Sequence, residues 1–203
     1  MKPVVVDLFC GMGGFSQGAK LAGFDVVLAI DNWDEALKVH ASNHKNTRHE
    51  NITFNDGGKG SIQSVSELIR SVVNGRPFHL HGSPPCQELS KANPKGDPLK
   101  GLILVNWFLD LVKELNPDSW SMEQVRTVSK YLPKTINYQI LNAIDFGVPQ
   151  TRERCYAGFG WAVNGNEKPI SVIEALPYLK KEATRLRGYK TGNPVLIAGR
   201  HSH

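Results

Sequence analysis

The chain has 203 residues, 40% apolar and 21% charged, which is the composition of an ordinary folded domain. No apolar run approaches the roughly 18 residues of a membrane span. A net charge of +5 leans towards a polyanionic partner, and much of the excess lies late, with seven Lys or Arg against two acidic residues from Lys168 onward. Three scattered cysteines, Cys10, Cys86 and Cys155, exclude a disulfide framework; with no signal-peptide pattern at Met1–Val6, they predict free thiols in the cytoplasm.

Lys2 to Phe9 reads as a buried strand, followed by the glycine-rich turn Gly11-Met12-Gly13-Gly14. Phe15 to Ala22 has helical spacing and stops at Gly23. A second strand, Asp25 to Ile30, ends at Asp31, and Glu35 to Asn43 is again helical. This strand-turn-helix-strand-helix opening predicts a mostly parallel, Rossmann-like α/β sheet with right-handed crossovers and helices on both faces. Residues 46–60 are polar and glycine-rich and read as loop; Ser64 to Val73 reads as helix. Pro77 to His81 is a short strand feeding the turn Ser83-Pro84-Pro85-Cys86-Gln87. Glu88 to Gly101 carries Lys91, Lys95 and Lys100 and reads as a mobile loop before a helix over Leu102–Leu115. Ser119 to Val125 is a strand, Tyr138 to Ile144 a further core segment, and Cys155 to Phe159 strand-like. The expected organisation is a cofactor-binding and catalytic domain over 1–160 and a short basic extension over 161–203.

Five constellations carry chemistry. The glycine turn lets backbone approach a ligand, but its Gly-x-Gly-Gly spacing is not the dinucleotide fingerprint, which favours a nucleoside ligand without a pyrophosphate. Asp31, at a strand end, is either an acceptor for ribose hydroxyls or the cap of the next helix, and Trp33 can stack on a purine. Cys86 sits behind two prolines that restrict its backbone, as suits a nucleophile more than a packing residue. Glu123, at the end of the next strand, falls on the same sheet edge in a parallel sheet. Arg152 and Arg154 alternate, so an extended segment points both to one face, beside a polar substrate.

In this order, Asp7-Leu8-Phe9-Cys10-Gly11-Met12-Gly13-Gly14, Gly82-Ser83-Pro84-Pro85-Cys86-Gln87, Glu123-Gln124-Val125 and Gln150-Thr151-Arg152-Glu153-Arg154 resemble the carbon-5 cytosine-specific DNA methyltransferase family. The resemblance implies S-adenosylmethionine as cofactor, held by Asp7, Phe9, Gly11, Gly13, Gly14, Asp31, Trp33 and Ile62. It implies Cys86 as nucleophile, Glu123 on the cytosine edge, and Arg152 and Arg154 completing the pocket, with Pro85, Gln87 and Gln150 contacting the substrate. It implies no metal, and double-stranded DNA with a flipped base as partner, with a second chain as a source of target recognition. The chain departs from the family in Gln124, where asparagine is usual, in Ser61, where an acidic residue usually meets the adenine, and in the short stretch from Glu123 to Arg152. An RNA substrate and a non-catalytic binding subunit stand as alternatives.

Overall fold

A computed structural model describes residues 2–90, 93–163, 165 and 167–175. Lys91, the Gly192–Val195 segment and the terminal His201-Ser202-His203 lie outside the described residues. The chain divides into two compact units: Met1–Ile140 with Arg154–Ala162, and Leu141–Glu153 with Val163–His203.

The first unit is built on β1 (Val4–Leu8), whose five residues are all buried, so both faces of this strand are covered. β2 (Asp25–Asp31), β3 (Arg48–Asn51), β4 (Phe78–Gly82) and β5 (Ser119–Val125) join it in parallel. β6 (Tyr138–Asn142) and β7 (Glu153–Phe159) close one edge, giving the order β3-β2-β1-β4-β5-β7-β6. β7 runs antiparallel to β5. Four helices connect the parallel strands: α1 (Gly14–Leu21), α2 (Asp34–Asn43), α3 (Ile62–Val73) and α4 (Pro98–Leu115). Successive strands move outward from β1 to β3 and then jump back to β4. Right-handed crossovers therefore put α1 and α2 on one face and α3 and α4 on the other.

Local chemistry sets the helix ends. Ser61 caps α3 by accepting the Ser64 N–H (3.2 Å), and Asn74 stops it in the left-handed region at φ 49°. Asp97 caps α4 by accepting the Leu99 N–H (2.9 Å), with Pro98 in the first turn, where its missing N–H costs nothing. This cap starts α4 four residues before the expected Leu102 and shortens the loop read over 88–101, which also holds a helical turn at Gln87–Leu89. The segment 46–60, read as loop, contains β3; its polar residues suit an edge strand, which needs no apolar alternation. The other strand and helix expectations match to within a few residues.

In the second unit, a short helical turn at Ala143–Phe146 ends at Gly147, and the Glu167 N–H bonds back to the Asp145 carbonyl (3.0 Å). Among the described residues no helix is long and apolar enough to cross a membrane.

Candidate active site at the strand ends

Register brings the scattered motifs to one edge. Leu8 pairs with Ile30 on one side and Gly82 on the other, and Gly82 pairs with Met122. The residues just beyond these four positions are Phe9–Gly14, Asp31, Ser83–Cys86 and Glu123. The order reverses between β1 and β4, so this edge is a topological switch point, where ligands of open α/β sheets bind.

The glycine turn leaves β1 through Phe9, held at φ 56°, then Gly11 at φ 51° and Gly13 at φ 95°. Gly13 starts α1 against two imidazoles: a Cβ there would stand 2.9 Å from His40 and 3.0 Å from His44. A Cβ at Gly11 or Gly14 would meet nothing within 4 Å, so the other side of the turn is open. Asp31 ties the turn to β2. One carboxylate oxygen accepts the Gly11 N–H (2.8 Å) and the other the Trp33 N–H (3.0 Å). It caps no helix in the usual sense, because the N-cap of α2 is Trp33, whose indole is half exposed. Phe9 is half-buried against Phe54 and Trp107, with ring centroids at 4.3 and 6.2 Å.

Asp7 lies beneath this turn, fully buried. The Ser16 hydroxyl donates to it (2.6 Å), His40 bonds Ser16 (3.0 Å), and His49 bonds His40 (2.8 Å). Burial pushes the Asp7 carboxyl up to about 7 and the His40 imidazole down to about 4. Among the described residues two buried polar atoms lack a hydrogen-bond partner, Asp7 Oδ1 and, on α4, Trp107 Nε1. Ile62 is half-buried against the core. Asp56 builds the preceding loop by accepting the Gly58 and Gly60 N–H groups (2.7 and 2.9 Å).

The second turn leaves β4. Pro84 is buried, Pro85 and Gln87 are exposed, and Cys86 is half-buried against the main core. Gln124, fully buried, clamps this turn: its side-chain amide donates to the carbonyls of Pro84 (2.9 Å) and Pro85 (3.3 Å), while its oxygen accepts the Val125 N–H (2.8 Å). The Gln124 amide thus reaches two consecutive proline carbonyls. Beside it, Glu123 pairs with Arg154 across the β5–β7 ladder at 2.9 Å, each about a fifth exposed. The other two thiols are poor nucleophiles. Burial, with Asp7 and Asp31 nearby, pushes Cys10 far up; burial and then Glu123 push Cys155 up to about 11.

Arg152 and Gln150 are exposed residues of the second unit. The Arg152 N–H donates to Asn142 Oδ1 (2.9 Å), and its carbonyl accepts the Ala143 N–H (3.1 Å). The strand β7 begins at Glu153, one residue after Arg152, and contains Arg154. Sequence reasoning also passed over His40, His44, Phe54 and Trp107, which pack on the glycine turn; nothing in their spacing marks them, because tertiary packing brings them there.

The profile of the C-5 cytosine-specific DNA methylase family matches residues 4–171, which contain all four motifs. The chain belongs to this family. Among relatives, it is 34% identical over 222 residues to the type II methyltransferase M.DdeI of Desulfomicrobium norvegicum, covering 96% of this chain and 49% of that protein. It is 31% identical over 161 residues to the type II methyltransferase M.HindV of Haemophilus influenzae, covering 73% and 50% respectively. This methylase-family chain therefore spans about half the length of each. A solved structure described as a prophage-encoded DNA modification methyltransferase from E. coli superposes with a TM-score of 0.66 at 25% identity, covering 86% of this chain and 54% of that one.

Proposed function

We propose that this chain transfers a methyl group to carbon 5 of a cytosine flipped out of double-stranded DNA, with Cys86 as nucleophile. One observation carries the reading: Cys86, the thiol not sealed in the core, emerges at the switch point on a turn that the neighbour of Glu123 clamps. Family membership and a type II methyltransferase relative that aligns with nearly the whole chain support the reaction class, with restriction-modification as its setting.

The residues at the glycine turn fit S-adenosylmethionine, the methyl donor of the family. The open side of Gly11 and Gly14 leaves room for it. The Asp31 oxygens, each accepting one backbone N–H, keep lone pairs for ribose hydroxyls, and Trp33 offers a half-exposed indole face for a purine. Phe9, Gly13, Ile62 and Asp7 complete the lining or its base. When bound, the cofactor supplies an electrophilic methyl on a sulfonium.

The remaining steps belong to the chain. Carbon 5 of cytosine is a poor nucleophile. Addition of the Cys86 thiolate to carbon 6 moves the ring's double-bond electrons towards carbon 5, which can then take the methyl. A proton shared between one Glu123 oxygen and ring nitrogen 3 neutralises the charge that builds on the ring, the exocyclic amine donates to the other Glu123 oxygen, and Arg154 holds the Glu123 side chain in place. A base removes the carbon 5 proton, and the sulfur leaves with the carbon 6 bond electrons. Pro85, Gln87, Gln150 and Arg152 are assigned to the substrate, and the lysines between Glu88 and Lys100 to its phosphates. The site of action is the cytoplasm.

Trapping tests this directly. DNA carrying 5-fluorocytosine cannot lose its carbon 5 substituent as a proton, so the protein with cofactor is expected to stall as a covalent adduct, visible as a mass shift absent from Cys86→Ala. Adduct with RNA alone would move the substrate. Adduct only after addition of a second chain would assign target recognition to that partner. No adduct under any of these conditions would overturn the reading.

A further inference from the structure

A second chain of polar groups, buried at His81 and Ser121 and half-buried at His79, Ser119 and Ser83, lies in the sheet beside the cysteine turn. His79 and His81 on β4 point to the same face as Ser119 and Ser121 on β5, which pair with them in register. His79 bonds Ser119 through Nδ1 and Ser121 through Nε2, both at 2.8 Å. His81 bonds the same Ser121 hydroxyl through Nδ1 (2.8 Å) and Ser83 through Nε2 (2.9 Å). Four links thus run along the strands and end at Ser83, immediately before Pro84. The His81 imidazole is also stacked on Phe15, with ring centroids 3.5 Å apart and planes within 8°. Phe15 stands in the first turn of α1, one residue after Gly14.

The chain has a definite logic. Burial holds both imidazoles neutral, His79 down to about 4 and His81 well below its ordinary value. A neutral imidazole donates from one nitrogen and accepts at the other, and a hydroxyl has one hydrogen. An arrangement that uses every hydrogen has one polarity throughout, so the state of Ser83 is set by His81. Ser83 is further fixed by its own N–H, which donates to the Leu8 carbonyl (3.2 Å), the last residue of β1. His81 therefore touches both turns of the site: the cysteine turn through Ser83 and the glycine turn through Phe15.

Building on the function proposed above, we propose that His81 is a positioning residue, holding the Ser83–Cys86 turn in place and tying its setting to occupancy of the glycine turn through Phe15. No step of the methyl transfer requires His81 itself. Its effect is felt as a change in how the Cys86 thiol is presented when the nucleoside site fills.

The test reads the thiol without needing DNA. Alkylation of Cys86 by iodoacetamide is followed by peptide mass spectrometry, with and without S-adenosylhomocysteine, whose binding is measured separately by calorimetry. In the parent protein, saturation is expected to change the Cys86 rate at least threefold. His81→Leu and Phe15→Leu are expected to bring that ratio close to one. His81→Gln, which restores a donor near the Nε2 position, is expected to recover most of it. Ser83→Ala, the mildest change, is expected to alter the rate two- to fivefold while leaving affinity for the nucleoside within twofold. Thermal melts establish that each variant is folded. An unchanged ratio in His81→Leu overturns the proposal, as does an unchanged Cys86 rate in Ser83→Ala or a parent protein that binds the nucleoside with no change at Cys86. If the parent binds no nucleoside, the cofactor reading fails instead, and the positioning role then stands or falls on whether Ser83→Ala changes the basal alkylation rate.

Discussion

The two turns that meet at the switch point solve one problem in opposite ways. The turn after β1 contains residues in the left-handed region and stays open at Gly11 and Gly14. The turn after β4 is made of prolines and is clamped from behind by Gln124. Each rests on a buried imidazole chain, but the first, Asp7-Ser16-His40-His49, contains an acid, and the second, Ser119-His79-Ser121-His81-Ser83, contains none. The first turn is built from backbone freedom, and the second by removing it.

The contrast can be broken most severely at the clamp. Gln124→Ala leaves two proline carbonyls facing a cavity and is expected to cost about 3 kcal/mol in urea unfolding. A loss below about 1 kcal/mol would mean that the prolines hold the turn unaided.

The acid-base difference gives a pH test. His79 and His40 have imidazoles depressed to about 4, so their contribution to stability is present above pH 6.5 and is lost as pH falls towards 4. Asp7 is raised to about 7, so its contribution is present below pH 3.8 and is lost as pH rises through 7. The two offset each other under the glycine turn only. Unfolding free energies measured from pH 7.5 to 4.5 are expected to fall on acidification, by up to about 3 kcal/mol per depressed imidazole. His79→Gln is expected to flatten that fall, and Asp7→Asn to steepen it. Parallel pH profiles for the two variants would contradict the division.

The glycine turn itself separates strain from crowding. Gly13→Ala adds a left-handed penalty and a contact with His40, and is expected to cost about 2 kcal/mol or more. Gly11→Ala carries only the backbone penalty, about 1 kcal/mol, because its surroundings are open. Both should weaken S-adenosylhomocysteine binding in calorimetry, and equal stability losses would show that His40 yields freely.

The smallest effect on folding is expected at Trp33. Its half-exposed ring contributes little to the core, so Trp33→Ala should change stability by less than about 0.5 kcal/mol. The same change should weaken nucleoside binding roughly tenfold if the indole stacks on the base. Unchanged affinity would assign the purine to another surface.

Much of this was open to reading from the residues in line. The run Val4–Leu8, the glycines after it and Asp31 are short-range patterns, and periodicity and turn chemistry place them without further help. Order along the chain sufficed to put Asp31, Cys86 and Glu123 on one edge, because right-handed parallel crossovers leave few alternatives. The polar strand β3 is hidden because an edge strand need not alternate, and the early start of α4 is hidden in a lysine-bearing stretch because it depends on the Asp97 cap. The role of Gln124 was hidden for a different reason: its partners, Pro84 and Pro85, lie some forty residues away. The motif order alone thus determined the fold class and the family, since both follow from local propensity, topology and the residues in line. Only the tertiary structure decided what lies beneath those side chains, the two imidazole chains and the amide clamp, because a buried hydrogen bond depends on strand register and side-chain direction, which no local pattern encodes.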